Sequence, residues 1–90
     1  MRNITLDGKE MTSRKATHLY LKQKLNFPDY YGENLDALWD LLTTIGSPTQ
    51  IRLLNPDLLD KQLGEYGSTL KSVLQAATQE NKNLSLEIMS

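Results

Sequence analysis

The sequence predicts an α/β fold: a small three-stranded parallel sheet packed against four helices, in the order β-α-α-β-α-α-β. Three observations carry this. Short runs of strand character around Ile4, Ile51 and Leu86 sit at the start, middle and end of a 90-residue chain. Two helical segments fit between each successive pair, and strands joined through helical crossovers run parallel, with right-handed connections. The apolar fraction of 39% and charged fraction of 23% suit an ordinary globule. A chain of this length buries roughly 60–70% of its unfolded surface, enough for one core, so residues 1–90 are expected to form a single domain.

In the first strand Ile4 and Leu6 alternate with polar neighbours, and Asp7-Gly8 ends the run. Thr12 or Ser13 can cap a helix reaching about Asn26, with Leu21 and Leu25 on its apolar face and Ala16 or Thr17 a turn earlier. Pro28 stops it, because the residue before a proline is pushed out of the α region. Phe27 to Thr44 begins as a loop, punctuated by Pro28 and Gly32, and continues as a short helix. Gly46-Ser47-Pro48 is a turn. Ile51, Leu53 and Leu54 form the second strand, whose near-continuous apolarity predicts cover on both faces. Asn55-Pro56 is a cap followed by proline at the first helical position. Leu58, Leu59 and Leu63 follow, and Gly64 closes that helix. Gly67-Ser68 opens the fourth, with Leu70, Val73, Leu74 and Ala77 on one face, and it ends near Asn81-Lys82-Asn83. Leu84, Leu86 and Ile88 alternate with Ser85 and Glu87 in the third strand.

Composition excludes several function classes. With no cysteine there are no disulfides, Cys-based zinc sites or thiol nucleophiles, which fits a reducing cytoplasm. The first residues have no apolar h-region, and no apolar run approaches the ~20 residues of a membrane span. The basic residues are scattered, so no nucleic-acid footprint is expected. There is no Gly-rich phosphate loop. His18, the sole histidine, has no nucleophile motif to serve and reads as a packed or surface side chain. Catalytic, cofactor and metal residues are therefore not expected, nor is enzymatic activity.

The functional hint is a hidden charge asymmetry. Between Lys24 and Arg52 there is no Lys or Arg, yet Asp29, Glu33, Asp36 and Asp40 fall there. This window carries −4 and the remainder +3, although the whole chain is only −1. At 100° per residue, Asp36, Asp40 and Thr43 fall within roughly 60° of one another, while Leu35, Leu38, Leu41, Leu42 and Ile45 occupy the opposite, core side. Trp39 lies on the border. Aspartate is a mediocre helix former, like charges at i and i+4 repel, and no cation on this helix offsets them. Glu33 fits the positive end of the helix dipole, but Asp40, well inside the helix, does not. A stripe that costs local stability points to an external cationic partner. A carboxylate pair for glycoside or Mg²⁺ chemistry would need a substrate cleft for which so short a chain has little room. Tyr30 and Tyr31, being adjacent, point differently, so one can pack inward while the other stays available. Gly32 is expected to supply a φ > 0 turn, and Asn34 an N-cap.

The run Tyr30-Tyr31-Gly32-Glu33-Asn34-Leu35-Asp36-Ala37-Leu38-Trp39-Asp40 resembles the signature of the barstar family, intracellular inhibitors of barnase-type ribonucleases. Gly8, the helix carrying His18, Pro28, Ser72-Val73-Leu74-Gln75 and the terminal strand with Ser90 follow the family order more weakly. The resemblance implies the same fold and a function: one-to-one, non-covalent occlusion of a small basic secreted ribonuclease by this loop and helix. It implies that Asp40 enters the nuclease's phosphate subsite, that Asp36 pairs with cations at its rim, and that Tyr30 packs across the cleft. Tyr31, Gly32, Asn34, Leu35, Trp39, Thr43 and Thr44 would supply shape and hydrogen bonds. A nuclease must present cations to a phosphodiester, and a rigid carboxylate satisfies them instead. Opposite fields also speed capture, a rule for which barnase–barstar is itself the reference example. The family's second acidic contact falls at Gln79, with Glu80 about 100° further round the helix. An aromatic after the helix is replaced by Ile45, and the segment before the last strand is shorter. The alternative reading is a barstar-like immunity or interaction module for a different basic partner.

Overall fold

The computed structural model describes residues 1–89; Ser90, part of the resemblance above, lies outside them. Three strands, β1 (Arg2–Asp7), β2 (Thr49–Leu54) and β3 (Leu84–Met89), form one sheet in the order β1-β2-β3. Both pairings are parallel, in a register that aligns Ile4 with Ile51 and Leu86. A 3₁₀ turn (Gly8–Glu10) and helices α1 (Arg14–Leu25) and α2 (Leu35–Thr43) connect β1 to β2. Helices α3 (Pro56–Leu63) and α4 (Glu65–Glu80) connect β2 to β3. The order and fold class are those the sequence predicts.

Ile4 and Leu6 of β1, Ile51 and Leu53 of β2 and Leu84 of β3 are buried against Leu21 and Leu25 of α1, Leu38 and Leu42 of α2, and Leu70, Leu74 and Ala77 of α4. Of the two α1 alternatives, Ser13 is the cap, its Oγ accepting from the Ala16 amide at 3.1 Å, and Thr17 is the buried residue. β2 departs from expectation. Its exposure alternates, with Thr49, Ile51 and Leu53 buried but Arg52 open to solvent, so only one face is covered. On the other face Arg52 Nε pairs with Glu87 Oε1 across the β2–β3 register at 3.3 Å. Leu54 misled because it closes the strand, half-exposed, beside the turn into α3.

Two helix starts differ as well. Asn55 holds the cap position of α3 in a left-handed conformation (φ 53°) without capping it; its Nδ2 donates instead to Asp7 Oδ1 at 2.8 Å. α4 begins at Glu65 rather than at Gly67-Ser68, because Gly64 (φ 61°) alone makes the break from α3. Gly67 lies inside α4, buried against the Leu59 carbonyl, where a Cβ would collide with backbone. Gly→Ala in an open helix gains roughly 1 kcal/mol. Here the sign reverses: Gly67→Ala is expected to lower stability by about 1–3 kcal/mol through overpacking, read as an earlier denaturant midpoint with unchanged slope.

Candidate partner-binding site

The site is α2 and the loop before it. α2 starts where it does because Asn34 is extended and its Oδ1 accepts from the Ala37 amide at 2.8 Å, a cap contributing about 1 kcal/mol. The same side chain reaches back, Nδ2 donating to the Gly32 carbonyl at 3.2 Å. The turn differs from expectation: Glu33, not Gly32, takes the positive φ (54°). Gly32 serves proximity instead, since a Cβ there would press on Asn34 Nδ2 and the Ala37 methyl at 3.3 and 3.4 Å. Leu38 and Leu42 are buried, while Leu35, Trp39, Leu41 and Ile45 are half-buried around them. At the far end Thr43 Oγ1 donates to the Trp39 carbonyl at 2.8 Å, and Thr44 Oγ1 to that of Asp40 at 3.0 Å. Asn81, buried at the end of α4, donates through Nδ2 to the carbonyls of Leu42 and Ile45 at 2.9 and 3.0 Å. The start of α2 is thus capped locally and its end is bonded to α4.

On the outer face Asp36 and Asp40 are exposed. Among the described residues the ion pairs are Lys22–Asp29, Arg52–Glu87 and Lys71–Asp60. Asp29 of the acidic window therefore has a partner, whereas among the described residues Glu33, Asp36 and Asp40 have none. Arg14 and Lys15 line a hollow of about 460 Å³ with Glu33, Asn34, Leu35, Asp36 and Tyr66 without pairing with its acids. Arg14 instead stacks its guanidinium over the Tyr66 ring, 4.3 Å from the centroid.

The adjacent tyrosines part as expected. Tyr31 is 4% exposed, its ring packed at a tilt of 51° against Phe27 with centroids 4.9 Å apart, whereas Tyr30 is 80% exposed. A second hollow, about 160 Å³, is lined by Tyr30, Tyr31, Gly32, Ala37, Asp40 and Leu41. It brings an exposed aromatic, backbone and the Asp40 carboxylate around one space. His18 is packed, at 1% exposure, between Tyr31 and Tyr66. Burial pushes its basicity down, partly opposed by the Glu33 carboxylate, and burial pushes the Tyr31 hydroxyl up, so that it stays protonated.

The profile of the Barstar (barnase inhibitor) family matches residues 1–89. The chain belongs to the barstar family. It is similar to a Bacillus subtilis (strain 168) protein named "Putative ribonuclease inhibitor YrdF", 43% identical over 84 residues that cover 92% of each chain. Of the loop and helix residues in the barstar signature and after it, Tyr30, Gly32, Asn34, Asp36, Asp40 and Thr44 are exposed, and Leu35, Trp39 and Thr43 are partly so. Tyr31 is the exception; its ring is part of the core and only its neighbours face outward. Gln79 and Glu80 are exposed on the last turn of α4, just before Asn81, which bonds the end of α2. Sequence reasoning missed Tyr66, Arg14 and Asn81. No spacing rule pairs Tyr66 with a histidine 48 positions earlier, or Asn81 with carbonyls more than 30 positions away.

Proposed function

We propose that this chain inhibits a ribonuclease by offering Asp40 and Asp36 to the cations with which the enzyme grips RNA phosphates. The observation that carries the reading is that Asp36 and Asp40 stand exposed at i and i+4 on the outer face of the capped helix α2 and, among the described residues, pair with no Lys or Arg. Leaving two like charges at i and i+4 unrelieved costs the free protein stability, which a cationic active site would return. Tyr30 and the hollow beside Asp40 supply shape for a side chain of the partner. The partner is a small, basic, secreted enzyme of the barnase type, bound one to one. The inhibitor acts in the cytoplasm and has no catalytic chemistry of its own. Gln79, where the family pattern has an acid, favours a second reading in which the basic partner is of another type.

Titration of the purified chain into a barnase-type ribonuclease tests this. RNA cleavage should fall linearly to near zero at equimolar inhibitor. The affinity should weaken as salt rises from about 0.1 M to about 1 M, which shortens the screening length from roughly 10 to 3 Å. Full activity at molar excess of inhibitor would overturn the barnase-type assignment and leave the second reading, for which capture of a different basic protein is the measurement.

A further inference from the structure

Two cations stand beside the start of the acidic helix, and the fold gives neither an acid to bind. Arg14 and Lys15 are the first two residues of α1, directly after the Ser13 cap, and no acid lies in that first turn. Cations there oppose the positive end of the helix dipole, where Asp or Glu is favoured. Both side chains are exposed, and both line the hollow of about 460 Å³ that Glu33 and Asp36 also line. Among the described residues, neither makes an ion pair with those acids or any other.

Arg14 is held in place. Its guanidinium lies over the ring of Tyr66 on α4, 4.3 Å from the centroid, and the Tyr66 hydroxyl is itself bonded to His18. Stacking occupies the face of a guanidinium and leaves its N–H edge for a planar carboxylate. The hollow is continuous with the inhibitory surface through Asp36, which lines it and is one of the two carboxylates offered to the nuclease. An enzyme seated on Asp36 therefore brings its own surface against Arg14 and Lys15. A rim of cations alone would be repelled there, whereas an acid beside a cation meets both signs. We propose that Arg14 and Lys15, with Tyr66 positioning Arg14, receive a carboxylate side chain of the bound ribonuclease. They thereby select, among basic enzymes, those that carry an acid beside their cationic site.

This contact deepens the inhibitor reading above and rests on it. Its effect is opposite in sign to that of the overall field. Removing positive charge from an inhibitor of a basic enzyme strengthens long-range attraction and speeds association. A direct contact predicts weaker binding instead, through faster dissociation, because the enzyme's carboxylate stays in the interface without a partner. The same substitution therefore separates field from contact. The fold does not interfere, since both residues are exposed and neutral side chains at the start of α1 suit its dipole better.

The test compares wild type with the double variant Arg14→Gln, Lys15→Gln, each titrated into a barnase-type ribonuclease. The variant should bind about tenfold more weakly, mainly through its dissociation rate. Its own melting transition should be unchanged or slightly raised. The Asp and Glu residues of the enzyme are then neutralised one at a time, with binding read by calorimetry so that inactive enzyme variants still count. One of them should weaken wild type about as much as the double variant does, and add little when combined with it. Equal or tighter binding by the double variant, or no enzyme acid that couples to the two cations, would overturn the proposal and leave the inhibitor reading standing. A wild type that does not bind the ribonuclease at all would overturn the barnase-type reading and this contact with it, so the wild-type titration tells the two failures apart.

Discussion

Asp40→Ala is expected to weaken ribonuclease binding by about 2–5 kcal/mol while leaving the melting transition nearly where it was; barnase–barstar is itself the reference example for that magnitude. The loss is large because, in the complex, the nuclease cations that Asp40 would satisfy stay buried and lose their partner. The fold is indifferent because Asp40 is exposed and, among the described residues, pairs with no cation, and removing one of two repelling charges on α2 slightly favours the helix. Calorimetry of the complex and thermal melting of the free variant check both halves. A variant that inhibits as well as wild type would remove Asp40 from the interface.

Two residues along the same helix, the opposite result is expected. Leu42 is fully buried in the core, on a helix that packs against α4, and Leu42→Ala should cost about 2–5 kcal/mol of stability through lost burial and an unfilled cavity. For a protein of this size that lowers the melting temperature by on the order of 10–25 °C. Below its new transition the variant should still bind, since no outward-facing group changes. A drop of under 2 °C would mean that the inner face of α2 is not packed as described.

The fold was legible because both sequence periods were present. Strand alternation at Ile4/Leu6 and Leu84/Leu86 and helical spacing at Leu38/Leu42 and Leu70/Leu74 each name a buried face, and helical connectors force parallel pairing. What escaped was set by contacts distant in sequence. Gly67 reads as a helix opener until the Leu59 carbonyl is beside it, and Asn55 reads as a cap until Asp7 takes its amide; in β2 the local alternation of Ile51, Arg52 and Leu53 was obscured by Leu54. At the site, the carboxylate stripe and the Asn34 cap follow from spacing alone. The role of Tyr31 does not, because its partner His18 comes from another helix. The part of the site that meets solvent is local in sequence, and the part that holds it still is not.

The local capping of α2 by Asn34 at its start and its anchoring to α4 through Asn81 at its finish have a thermodynamic consequence. A recognition element that is already rigid surrenders little conformational freedom when it docks, so little of the interaction energy is diverted into ordering it. Encounter then requires only that two preformed surfaces meet in the correct orientation, a search that opposite fields shorten.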